Sequence, residues 1–218
     1  MKCDKDMMLL YAVTDRTWVG EQTLYEQVES ALKGGATCIQ LREKELNDEE
    51  FLKEALEISA LCKQYNVPFI INDHVEIAIR SNADGIHIGQ DDMPVAQVRE
   101  KVGSDMIIGV SASSPEEALE AVQNGADYLG VGAMFSTSTK LDVNVLSKET
   151  LREICTTVDV PVVAIGGIGK LNISQLSGTG VDGVALVSAI FSAENIEDEC
   201  RLLRRLSEEM VSGEVTHE

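Results

Sequence analysis

Eight short apolar runs alternate with eight amphipathic segments along 218 residues, and that rhythm predicts an α/β protein, a single (βα)8 TIM barrel. A second observation supports closure of the sheet. G-G-A-T at 34–37, N-A-D-G at 82–85, G-A-D-Y at 125–128 and G-V-D-G at 180–183 each precede an even-numbered strand, so the chain reads as four doubled units. The third observation is a missing motif: no G-x-G-x-x-G follows the first strand, which tells against an open, doubly wound sheet. No linker or low-complexity stretch interrupts the series. Residues 1–218 are expected to form one domain, with a frayed polar tail over about 211–218.

In chain order, the first strand is expected at residues 8–13. The charges around it and the lack of a small-residue cleavage site separate it from a signal peptide. The second, at 37–41, runs into Q-L-R-E-K. The third, at 68–71, stops at Asn72-Asp73, and the fourth, at 84–88, stops at Gly89-Gln90-Asp91-Asp92. A single compact helix joins these two, so they lie parallel and both carboxylate clusters emerge at one edge of the sheet. The fifth, at 106–110, leads to Ser111, and the sixth, at 128–131, to an unusually long loop. The seventh, at 162–165, ends in G-G-I-G and the eighth, at 183–187, in Ser188. Helices fill the gaps at about 23–33, 48–65, 75–81, 94–101, 115–124, 147–156, 172–177 and 196–210.

Composition narrows the partners. An apolar content of 44% with 4% aromatics suits an aliphatic core. With 37 acidic against 18 basic residues the net charge is −19, which argues against nucleic acid or an anionic membrane surface. An anionic ligand would have to be met by local cations or a metal. Cys3, Cys38, Cys62, Cys155 and Cys200 show no C-x-x-C pairing, the pattern of reduced thiols in a cytoplasmic protein. No stretch approaches the ~18 apolar residues of a membrane span. The pattern leaves a homo-oligomer open.

Side chains alternate along a strand, so the four even strands can be sorted by face. Ile39/Leu41, Ile86/Ile88, Leu129/Val131 and Val184/Leu186 are uniformly aliphatic and should face the helices. The opposite phase places Cys38, Gly85, Tyr128 and Gly183 lowest in the barrel. Gln40, His87, Gly130 and Ala185 come next, and Arg42, Gly89, Gly132 and Val187 lie at the top. These layers are small and polar for a barrel core. They predict a pocket in the mouth sized for a flat heteroaromatic ring; the alternative is that odd-strand side chains fill the space around a core histidine.

At the same rim the residues suit phosphate chemistry. Asp73 and the Asp91-Asp92 pair lie on adjacent strand ends and could share one hard divalent cation, or could be turn and cap residues. Arg42 and Lys44 share a face and could grip phosphate oxygens, or belong to a solvated charge run with Glu43 and Glu45. Ser111 is a rim hydroxyl or a helix cap. Thr137, Thr139 and Lys140 form a candidate phosphate clasp that lacks the P-loop glycines. Gly166, Gly167 and Gly169, with Val187-Ser188, occupy the usual barrel site for a phosphate. The inventory provides for two anions and offers no covalent nucleophile, which suits stabilising pyrophosphate as a leaving group.

These motifs together resemble the thiamine phosphate synthase family over essentially the whole chain. They are V-T-D at 13–15, G-G-A-T-x-x-Q-L-R-E-K at 34–44, I-N-D at 71–73, A-D-G-I-H-I-G-Q-x-D at 83–92, G-V-S at 109–111 and G-A-D-Y-L-G-V-G at 125–132. T-x-T-K-x-D at 137–142, A-I-G-G-I at 164–168 and V-S-A-I at 187–190 complete the set. The resemblance implies that 4-amino-5-hydroxymethyl-2-methylpyrimidine diphosphate is joined to a thiazole phosphate, a carboxylated tautomer included, with Mg2+ and loss of pyrophosphate. The implied mechanism is dissociative: diphosphate leaves first, and the thiazole nitrogen captures the pyrimidine-methyl cation.

Carried over by position, Asp73 and Asp92 would hold the metal, the choice of Asp92 over Asp91 coming from the resemblance. Gln40, Arg42, Lys44, Asn72, Ser111 and Lys140 would hold the diphosphate. Thr137, Thr139, Gly167, Val187 and Ser188 would serve the thiazole phosphate, with His87 and Tyr128 beside the pyrimidine. Departures from the family pattern are His74, Ala112-Ser113 without a following His, Ala133 and Ser136 in place of prolines, and Val143 in place of Ala. Without the prolines the loop after the sixth strand is expected to be more mobile. Two rivals differ in what they need. A related thiazole tautomerase would use a His base and dispense with the Q-x-R-x-K, paired-Asp and T-x-T-K residues. A non-catalytic phosphate-binding module would tolerate their loss.

Overall fold

The computed structural model describes residues 3–136 and 145–213. Eight parallel strands close in sequential order: β1 (Leu10–Val13), β2 (Cys38–Leu41), β3 (Phe69–Asn72), β4 (Gly85–Ile88), β5 (Ile107–Ala112), β6 (Tyr128–Val131), β7 (Val162–Ile165) and β8 (Gly183–Leu186). The helices are α1 (Leu24–Lys33), α2 (Asp48–Tyr65), α3 (Val75–Arg80), α4 (Val95–Val102), α5 (Pro115–Gln123), α6 (Lys148–Thr157), α7 (Ser188–Phe191) and α8 (Ile196–Ser212).

Local chemistry starts and stops them. Thr23 and Glu26 form a reciprocal capping box at α1. The Asn47 side chain caps α2, whose first turn carries Asp48, Glu49 and Glu50 on the positive end of the helix dipole. Asn66 ends α2 in the left-handed conformation, φ 55°. Ser114 caps α5 ahead of Pro115, whose missing N–H costs nothing at that position.

Boundaries differ from expectation in four places. β5 runs on to Ala112, because Ser111 and Ala112 still pair with Gly130 and Val131 of β6. Ser111 is therefore a strand residue, and the cap of α5 is Ser114. Residues 172–177 form only a 3-10 turn, Ile173–Leu176. β8 stops at Leu186, since Val187 leaves strand geometry to start the short α7, which periodicity did not reveal. Finally, α8 is not frayed from residue 211 but continues to Ser212, where Gly213 takes φ 74° as the left-handed cap.

The two faces of the sheet sort as their alternation predicts. Ile39, Leu41, Ile86, Ile88, Leu129, Val131, Val184 and Leu186 pack in one buried cluster with the helices. The interior cluster contains Tyr11, Val13, Cys38, Ile70, Ile107, Tyr128, Val163 and Ala185. Its depth separates the two readings of the small layers. Low in the barrel, odd-strand side chains do fill the space at Gly85, where a Cβ would lie 2.6 Å from Ile70 Cδ1 and 2.9 Å from Ile107 Cβ. At Gly183 the backbone ahead of β1 fills it, with the Met8 carbonyl oxygen 2.0 Å from an added Cβ. Higher up, Gly130, Gly132 and Ala185 line an open cavity of about 290 Å³.

Candidate active site

The acidic side of the cavity is built where β3 and β4 end. Asp73 follows Asn72 in the left-handed region, φ 61°, a conformation that Asp tolerates better than most residues. Its Oδ1 accepts from Asn72 Nδ2 at 2.8 Å and its Oδ2 from Lys44 Nζ at 2.5 Å. Asp92 Oδ2 accepts from the Gly89 backbone N–H at 2.7 Å, closing a tight loop after β4. Partial desolvation holds the Asp92 carboxyl above its ordinary range, with the Gly89 hydrogen bond opposing and the neighbouring Asp73 carboxylate adding to the rise.

Two interacting carboxylates with only oxygen donors fit a hard divalent cation. Among the described residues no group of three or more His, Cys, Asp or Glu side chains could hold a metal by itself. This donor set suits an ion that completes its coordination with ligand phosphate oxygens and water.

The cationic residues of Q-L-R-E-K are not a solvated charge run. Arg42 and Lys44 both line the cavity, while Glu43 between them is buried. Glu43 Oε1 accepts from Arg16 Nε at 3.0 Å, and Arg16 Nη2 also donates to Glu54 at 2.8 Å and 2.9 Å. Arg42 Nη1 donates to Asp15 Oδ2 at 3.0 Å, and Asp15 Oδ1 accepts from Thr17 N at 2.9 Å. The turn after β1 thus aims Arg42. Sequence reasoning assigned Asp15 no role, although V-T-D at 13–15 belongs to the family pattern.

At the floor, Gln40 Nε2 donates to Tyr11 Oη at 2.7 Å, and the Tyr11 and Tyr128 hydroxyls lie 2.7 Å apart. His87 Nδ1 is 2.9 Å from Tyr128 Oη, and its Nε2 is 3.0 Å from Ser111 Oγ. Gly109 and Gly130 make room for these rings: an added Cβ would lie 2.0 Å from Tyr128 Cζ and 3.1 Å from His87 Cε1, respectively. Burial raises both tyrosine hydroxyls well above their ordinary range, so they stay protonated. Tyr128 is fully buried and does not line the cavity. Its hydroxyl supports, from beneath, the His87 ring that does line the cavity. Tyr11, which lines the floor, was missed; its inward phase in β1, two residues before Val13, was the available signal.

The opposite side is made by β7, β8 and α7. Gly166 and Gly167 take φ 96° and 65°, conformations that favour glycine. Asn172 braces the turn, accepting from Gly169 N at 2.8 Å and donating to the Gly167 carbonyl at 2.9 Å. Val187 and Ser188 enter α7, and the first N–H groups of such a turn lack helical partners. A short extra helix after the last strand is the usual companion of a barrel phosphate site.

Gln40, Arg42, Lys44, Asn72, Asp73 and His87 thus share one cavity with Asp92, Ser111, Gly167, Val187 and Ser188. Thr137, Thr139, Lys140 and the Val143 departure lie outside the described residues. Asp91 does not line the cavity. Of the other departures, His74 caps α3 and its Nε2 lies 3.3 Å from Asp48 Oδ1, while Ala133 lines the cavity.

A closed βα barrel whose mouth sets two carboxylates and two cations opposite a glycine turn defines the class, an enzyme that acts on small molecules. Residues 10–190 match the family model described as thiamine monophosphate synthase. The chain belongs to that family and is a transferase. It is 51% identical over 194 residues to the thiamine-phosphate synthase of Clostridium acetobutylicum, covering 89% of this chain and 92% of that one. With that of Ruminiclostridium cellulolyticum it shares 50% identity over the same fractions. The solved thiamine phosphate pyrophosphorylase of Pyrococcus furiosus superposes with a TM-score of 0.88 at 40% identity, covering 95% of this chain and 98% of that one.

Proposed function

We propose that this protein joins 4-amino-5-hydroxymethyl-2-methylpyrimidine diphosphate to 4-methyl-5-(2-phosphoethyl)thiazole, or its carboxylated tautomer, giving thiamine phosphate and pyrophosphate, with CO2 also released from the carboxylated form. The observation that carries the reading is that one cavity brings charged side chains and a glycine turn to opposite sides of its mouth. Arg42, Lys44, Asp73 and Asp92 stand on one side, and the Gly167 turn with Ser188 on the other. A diphosphate held on the first side and a monophosphate on the second leave the two rings to meet between them. The two named relatives, 51% and 50% identical and each a thiamine-phosphate synthase, favour this over the tautomerase reading.

In the proposed mechanism, Asp73 and Asp92 would hold Mg2+, and the ion would supply neutralisation of the diphosphate charge. Arg42, aimed by Asp15, and Lys44 bind the leaving oxygens, a role that the family pattern also gives to Lys140. Gln40, Asn72 and Ser111 orient the diphosphate half. The enclosed floor, formed by Tyr11 and His87, limits water around the pyrimidine-methyl cation until the thiazole nitrogen captures it. Backbone N–H groups at Gly167 and Ser188 fix the thiazole phosphate.

Incubating the purified protein with both phosphorylated halves and Mg2+ should yield thiamine phosphate and pyrophosphate in equal amounts. Thiazole isomerisation without coupling would assign it to the tautomerase class; binding without turnover would leave a phosphate-binding module.

A further inference from the structure

A hydrogen-bonded chain crosses the barrel interior through side chains from five strands, Gln40, Tyr11, Tyr128, His87 and Ser111, with successive separations of 2.7, 2.7, 2.9 and 3.0 Å. A hydroxyl has one proton, so the direction chosen at one end propagates to the other. Gln40 Nε2 donates to Tyr11 Oη. The single Tyr11 proton is then available to Tyr128 Oη, 2.7 Å away. Tyr128, receiving that proton, gives its own to His87 Nδ1 at 2.9 Å. An accepting Nδ1 leaves the ring proton of a neutral imidazole on Nε2, which faces Ser111 Oγ at 3.0 Å. Ser111 accepts there, and its own proton is left to turn towards the cavity that it lines.

We propose that Tyr11 is a positioning residue: it transmits the orientation of the Gln40 amide through Tyr128, sets His87 as the Nε2–H tautomer, and makes Ser111 a hydrogen-bond donor to an anionic oxygen of the bound diphosphate substrate. The role of Ser111 towards ligand rests on the proposed coupling reaction; the tautomer does not. An imidazolium would not fit this direction, because a second donor at Nδ1 would leave the Tyr128 proton without an acceptor. Burial raises both phenols, keeping a proton on each and the chain intact. The rings are packed as well: Tyr11 and Tyr128 meet edge to face at 5.8 Å, and both are fully buried. Reversing the amide would reverse every bond, put the proton on Nδ1 and make Ser111 donate to the ring, so the tautomer reports the direction of the whole chain.

Nitrogen-15 NMR of the unliganded, histidine-labelled protein reads this directly. The chain has three histidines, His74, His87 and His217, and a His87→Gln variant assigns the signal. Wild type should show His87 protonated on Nε2. Tyr11→Phe, which cuts the chain above Tyr128, should shift the ring towards a mixture of tautomers and slow coupling roughly 3- to 10-fold, the worth of one hydrogen bond. A fold check by thermal melting accompanies it, and Gln40→Leu removes the same directing donor if Tyr11→Phe does not fold. An Nδ1–H ring in wild type, or an unchanged tautomer ratio in a folded variant, overturns the proposal. The expected tautomers in a protein that cannot couple the two halves would instead overturn the proposed function alone.

Discussion

Asp73 and Asp92 interact with each other while Lys44 and the Gly89 amide hold one oxygen of each. Replacing either by Asn leaves its shape and removes one anionic ligand. Activity should fall by at least tenfold and be partly restored by excess Mg2+, as read from rates across a metal titration; full activity in EDTA would remove the metal from the mechanism. Asp15 acts at one remove. Asp15→Ala releases Arg42 from a charge-assisted hydrogen bond, a type that contributes about 1.5–3 kcal/mol, and should raise KM for the pyrimidine diphosphate roughly tenfold or more. Thiazole phosphate affinity, measured by calorimetry in the same variant, should not move. For Lys140 the expectation rests on sequence: Lys140→Ala should lower the single-turnover rate far more than it weakens thiazole phosphate.

The glycine turn after β7 is a joint construction of two loops. A Cβ on Gly167 would lie 2.5 Å from the Ser136 carbonyl oxygen and 2.7 Å from that of Phe135, so any side chain there displaces the segment after β6. Gly167→Ala should therefore lose both thermal stability and thiazole phosphate affinity while keeping most of its affinity for the pyrimidine diphosphate. Ser188→Ala, which retains the backbone donors at the start of α7, should change thiazole phosphate affinity less than about threefold, the lower end of one hydrogen bond. Calorimetric titration of each ligand against both variants separates backbone from hydroxyl recognition. Equal loss of both ligands in a folded Gly167 variant would mean that the two anion sites are not separate.

At the scale of the molecule, the buried thiols tie stability to alkaline pH. Burial pushes Cys62 and Cys200 up to about 12, from an ordinary value of 9.0. Below pH ~9 both states keep these protons, and the full stability is present. Between about 9 and 12 the unfolded chain ionises while the folded one does not, so stability falls with rising pH by ~1.4 kcal/mol per pH unit per thiol. Urea unfolding across that range should show the slope, and Cys62→Ala with Cys200→Ala should lessen it by the share of those two thiols, the other buried cysteines and tyrosines keeping theirs. Both cysteines, fully buried, should also resist thiol reagents until the chain unfolds.

The barrel, its two-faced strands and most residues at its mouth were legible in the sequence, because alternation along a strand and the parallel direction of βα units are local consequences of the chain. The pairing of Ile39 with the helices and of Gln40 with the interior needs no more than the parity of their positions. Closure decided the rest. Tyr11 and Tyr128 stand 117 residues apart, and only their places in the sheet bring their hydroxyls to 2.7 Å. Glu43 finds Arg16, and Arg42 finds Asp15, because β1 and β2 are neighbours whose following turns meet. α7 escapes periodicity because four residues are a single turn, too short to show a repeat. Composition showed that the inner layers were small; whether that space was filled or left open depended on how far each odd-strand side chain reached across the barrel.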